Sequence, residues 1–159
     1  MANDIKSIDI GVNVQMVDGN LCATWSFDNE KGDRDGTQVR LFSGQEYQVT
    51  YRLLDPASWS LDAVSLRRVS GSNTGFVTLT QGETTSPQAL PEGAGTVTVA
   101  AFASDALTLN VTNALSSGSE PFTVGLSLTV SARNSQGTPK QSSQDPQMIL
   151  EPIIAPPSP

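Results

Sequence analysis

The sequence predicts an all-β protein, an antiparallel two-sheet β-sandwich that is Ig-like in the broad sense, with a jelly roll or closed β-barrel as the alternative. The clearest pattern is Phe122 to Val130, where Phe122, Val124, Leu126, Leu128 and Val130 alternate with Thr123, Gly125, Ser127 and Thr129. Strict period two places every large side chain on one face of a strand, and such a strand is stable only against a second wall. Similar runs recur along the chain, separated by turn residues about every 8–12 positions. Composition agrees: 37% hydrophobic and 6% aromatic, with Ser, Thr, Gly, Asn and Gln filling the difference. That is the profile of many short strands joined by polar turns. About eight to ten strands are expected in one domain, residues 1–154, followed by a Pro-rich tail, 155–159.

Taken in order, Ile8, Ile10, Val12, Val14 and Met16 alternate with Asp9, Gly11, Asn13 and Gln15, giving a long first strand. Asp18-Gly19-Asn20 is a hairpin signal. The returning strand carries Leu21, Ala23, Trp25 and Phe27 on one face and Cys22, Thr24 and Ser26 on the other. A charged, Gly-containing connection follows, Asp28 to Gly36. Val39 and Leu41 form a short strand that Ser43-Gly44 ends. Tyr47, Val49, Tyr51 and Leu53 alternate cleanly until Pro56 breaks the pattern. Residues 59 to 69 read as one strand with a bulge, or as a helical turn running into a strand. Phe76 to Leu79 is a short strand, and 82–95 is a long loop of the kind that is often functional or mobile. Thr96 to Ala103 and Leu107 to Val111 form a hairpin around Ser104-Asp105. Arg133 to Gln144 is a polar loop or linker. Asp145-Pro146 introduces a last strand, Met148 to Ile154, that the prolines confine to an edge.

The chain excludes several chemistries. It has no His, so no Ser-His-Asp or Cys-His arrangement and no His-containing zinc site forms within it. Cys22 is the sole Cys, so no intrachain disulfide forms, and nothing basic beside it in sequence activates the thiol. A net charge of -7, with no basic run beyond Arg67-Arg68, argues against nucleic acid and against an anionic membrane surface. No apolar run approaches the roughly 20 residues of a membrane helix. The start lacks a basic n-region and an apolar core. The expected compartment is therefore the cytoplasm, with export without a cleaved signal, or with a signal already removed, as the alternative.

The candidate site residues are few. The carboxylates of the 28–36 connection, Asp33 and Asp35 among them, offer hard oxygen donors for Ca²⁺, but their spacing fails the EF-hand pattern, so a solvated connection is expected. Arg67 and Arg68 could grip an anion, against the simpler reading of a solvated or salt-bridged pair. Trp25, Tyr47 and Tyr51 follow the core-facing alternation, which leaves Trp59, just after the Pro break, as the best exposed stacking face for a ligand. Asn110-Val111-Thr112 matches a glycosylation pattern but falls inside a strand and is set aside.

The ending Asp145-Pro146-Gln147-Met148-Ile149-Leu150-Glu151-Pro152 resembles that of a small group of bacterial proteins known for these dipeptides, the DP-EP family. It is also similar to the closing strand of bacterial inclusion-body proteins of the AidA/PixA type. These resemblances cover eight residues and imply a bacterial cytoplasmic origin. They imply no reaction and supply no catalytic residues. The expected function is a non-enzymatic interaction or structural module with a protein partner or a second copy, as in a homodimer, and with no cofactor. The alternative is a carbohydrate or small-ligand binding module, Ca²⁺-assisted if the acidic connection contributes. A carboxylate-dependent hydrolase is the third reading.

Overall fold

Among the described residues, ten strands of five or more residues carry the fold: β1 (Lys6–Val17), β2 (Cys22–Asn29), β3 (Gln38–Phe42), β4 (Glu46–Leu53), β5 (Trp59–Arg68), β6 (Gly75–Thr80), β8 (Gly95–Phe102), β9 (Ala106–Asn113), β10 (Phe122–Ala132) and β12 (Gln147–Glu151). Two short ones, β7 (Gln88–Ala89) and β11 (Gln141–Ser142), complete the set. The computed structural model describes residues 5–17, 22–29, 38–68, 75–90, 93–116, 118, 120–132, 141–142 and 147–152. Among the described residues no helix is long and apolar enough to cross a membrane.

The strands form an all-β sandwich of two separate sheets, not a closed barrel. The first has the order β2-β1-β4-β9-β8-β7, and the second β3-β12-β10-β5-β6, with β11 beside β10. Period-two alternation turns the apolar face of each strand inward. The central strand β10 shows this best: Phe122, Val124, Leu126, Leu128 and Val130 are all buried. Tyr47 and Tyr51 of β4 face the same core, as their alternation predicts.

Not every pairing is antiparallel. β1 runs parallel to β4, and β3 runs parallel to β12. Parallel neighbours need long crossovers, and both pairs join strands far apart in sequence. The last strand is also not an edge. β12 lies between β10 and β3, with Met148 and Leu150 fully buried. The five paired residues, Gln147 to Glu151, include no proline, so each of their N–H groups remains available to the ladders.

Residues 59 to 68 are one strand with irregular pairing. Against β10 the register passes from Ala63 to Leu61, leaving Asp62 as the extra residue. Within 82–95, the described segment 82–90 is not a free loop. It is strapped to β8 by Gly82 N–H to Phe102 O (2.9 Å), Thr85 N–H to Val99 O (3.2 Å) and Val99 N–H to Thr85 Oγ1 (2.9 Å). Its end anchors through buried Leu90, whose N–H bonds Gly95 O at 2.8 Å. Its start is turned by Glu83, which accepts from the backbone N–H (2.7 Å) and hydroxyl (2.8 Å) of Thr80 and is held below its usual carboxylate range by those bonds. The strap covers donors and acceptors that an edge would otherwise expose.

Polar cross-links tie the sheets together at both poles. At one, the Ser104-Asp105 hairpin of the first sheet receives Leu53 N–H and Leu61 N–H, each at 2.8 Å; Leu61 belongs to the second sheet. At the other lies Asn113, 2% exposed. Its amide donates to Leu41 O (2.8 Å) and Glu151 O (2.9 Å), and its Oδ1 accepts from Leu115 N–H (2.9 Å). One side chain of β9 thereby holds the ends of β3 and β12. Close by, Tyr47 reaches across the sandwich, and its hydroxyl accepts the Phe42 N–H at 2.9 Å.

Candidate functional site

The outward face of the first sheet is built by the residues that alternate with its core positions. Register sets them in rows across β1, β4, β9 and β8. One row is Glu46, Thr112 and Thr96; the next is Ser7, Gln48, Asn110 and Thr98. A third is Asp9, Thr50 and Thr108, in which the two threonine hydroxyls lie 3.3 Å apart. Gly11, Arg52 and Ala106 make a fourth. β-branched threonine suits this position: its methyl packs along the pleat while its hydroxyl meets water.

Charge is sparse on this face. Asp9 and Glu46 stand against Arg52, and Arg52 Nη2 lies 3.5 Å from Asp9 Oδ2. Glu46 is left as the uncompensated carboxylate of these rows, on a chain whose net charge is -7. At one end, Ile5, Pro87 and the polar floor of Glu46, Thr96, Thr98, Asn110 and Thr112 enclose an open groove of about 210 Å³. Ile5 is 57% exposed there. At the other end Leu54, 55% exposed, lies over Gly11, where a Cβ would come within 2.9 Å of its Cδ2. The glycine makes room for an apolar side chain that stays on the surface. These two are joined by Phe42 at the end of β3 as the exposed large hydrophobic residues among those described.

The residues singled out in the sequence lie elsewhere. Trp59, expected to offer a stacking face, is 6% exposed and belongs to the core. The reason is phase: as first residue of β5 it stands two positions from buried Leu61, on the same inward side. A turn after Pro56 sets it there, with Ser58 N–H and Trp59 N–H both bonding Asp55 O at 3.2 Å. With Tyr47 and Tyr51 also buried, three of the four candidate rings are withdrawn from any ligand. The side chain of Trp25 falls outside the described residues. Arg67 is half-buried on the outer face of the second sheet, paired with Gly125 and already engaged in an interaction of its own. The side chain of Arg68, and Asp33 and Asp35, fall outside the described residues.

No protein-family model matches the chain, and no curated protein matches it. Among solved structures the chain is similar to the crystal structure of an inclusion body protein, PixA, from Burkholderia cenocepacia. The two are 13% identical, and the match covers 95% of this chain and 97% of that one at a TM-score of 0.40.

Proposed function

We propose that the protein is a non-enzymatic interaction module acting in the cytoplasm, and that its contact surface is the outward face of the first sheet. The observation that carries this reading is the pairing of a nearly neutral, threonine-rich face with exposed Ile5 and Leu54 at its two ends. On an acidic chain, such a face is the part that a protein surface can approach with little charge to desolvate. Outward threonines have few rotamers to freeze, which lowers the entropic cost of contact.

Site-specific photo-crosslinking in cells tests it. A photoreactive residue in place of exposed Asn110 should yield a discrete crosslinked species, whereas one in place of exposed Thr78, on the second sheet, should not. Absence of a discrete product from Asn110, or an identical pattern from both positions, overturns the assignment of this face.

A further inference from the structure

We infer that the occupant of this face is a second copy of the chain, packed sheet to sheet about a two-fold axis that runs across the strands near Thr50. The inference rests on the interaction reading above and adds the partner and the geometry. Other surfaces serve less well. On the outer face of the second sheet, Arg67, Ser127 and Thr129 are already engaged. The β8 edge is strapped, and the Phe42 N–H of β3 is capped by Tyr47.

Self-complementarity comes from the placement of the ends. Lys6 pairs with Tyr47, so Ile5 lies level with Glu46, four residues before Thr50. Leu54 follows Thr50 by four residues and lies over Gly11 of β1. Both apolar side chains thus flank the same strand, on opposite sides of Thr50. A two-fold axis lying in the interface, perpendicular to the strands, keeps the lateral position and exchanges the two ends. Ile5 of each copy then meets Leu54 of the other, twice per dimer.

The same operation moves Glu46 to the end of the face that carries Arg52, giving the uncompensated carboxylate a cation from the second copy. Two chains of net charge -7 repel, so a closed contact between them is favoured where a carboxylate of one copy meets a cation of the other. Four strands at about 4.8 Å spacing and eight residue steps at about 3.3 Å give a footprint near 500 Å² per copy. The total, about 1,000 Å², is at the lower limit of specific interfaces. The expected dimer is therefore reversible, with a mass that depends on concentration.

Sedimentation or light scattering of the purified chain from about 1 μM to about 1 mM should show the mass rising from one chain toward two. A residue on the axis meets its own copy. Thr50→Glu and Thr50→Lys should therefore each remain monomeric over this range, while an equimolar mixture of the two restores the dimer. Ile5→Asp, which precedes the strands and leaves the core untouched, should weaken association at least about tenfold. A wild-type mass that stays at one chain overturns the inference, as does dimerisation of either Thr50 variant alone. If the wild type is monomeric while Asn110 crosslinks a different protein, only the second-copy inference fails. If Asn110 crosslinks nothing, the interaction reading fails with it.

Discussion

Tyr51 sits at the middle of β4, between Ile10 of β1 and Leu107 of β9, and is fully buried. Its hydroxyl has no hydrogen-bond partner among the described residues, an arrangement that costs about 1–3 kcal/mol relative to a satisfied group. Tyr51→Phe should therefore raise stability by about 1 kcal/mol in urea denaturation, since it removes the orphaned oxygen and keeps the ring. Burial also pushes the phenol well above its ordinary value. The folded chain then keeps its proton where the unfolded chain releases it. Stability from this group is complete below the unfolded pKa of about 10 and falls above it by about 1.4 kcal/mol per pH unit until the folded pKa is reached. The difference in stability between the wild type and Tyr51→Phe, followed from neutral to alkaline pH, should widen by that slope; a constant difference would show that the ring is not buried. Asn113 is the contrasting case, a buried polar group whose donors and acceptor are all used. Its inward phase could be read from Leu107, Leu109 and Val111 before it, but its partners, Leu41 and Glu151, are too far away in sequence to be inferred.

At the scale of elements, alternation was informative wherever one face of a strand is wet, as in β4 and β10, because period two then maps directly onto burial. At β5 the extra Asp62 shifts the phase between Leu61 and Val64, in line with the reading of one strand with a bulge, whereas Trp59 was misplaced because its position after the Pro break was read as exposed although it shares the phase of Leu61. β12 failed differently. Its apolar residues were legible, but flanking prolines mark an edge only when they fall inside the paired stretch. The face of the first sheet was legible strand by strand, as Thr96 and Thr98 or Thr108 and Thr112. Which strands stand side by side was not, because β1 and β4 pair in parallel across two intervening strands. The internal position of β12 sharpens the expected effect of truncation. A chain ending at Gln144 loses a central strand, with fully buried Met148 and Leu150, and separates β3 from β10. It should aggregate or melt without a cooperative transition in calorimetry. A soluble product with the wild-type melting temperature would mean that β12 is dispensable.

For the whole molecule, the decisive feature is where the first and last strands stand. β1 begins beside the start of β4, whose Tyr47 holds the end of β3, and β12 ends beside that same Phe42. Residues 5 and 152 thus emerge at one pole, from different sheets. This makes the domain mechanically anisotropic. A load applied between these two points acts across the strands, and β1 and β12 peel from their neighbours one bonded pair at a time. A load between residue 55, at the opposite pole, and residue 152 runs along the strands and must shear whole ladders together. In single-molecule stretching, the first geometry should yield at a clearly lower force than the second. Tension applied at residues 5 and 152 would open this domain like a zipper, although the same core resists force along its long axis.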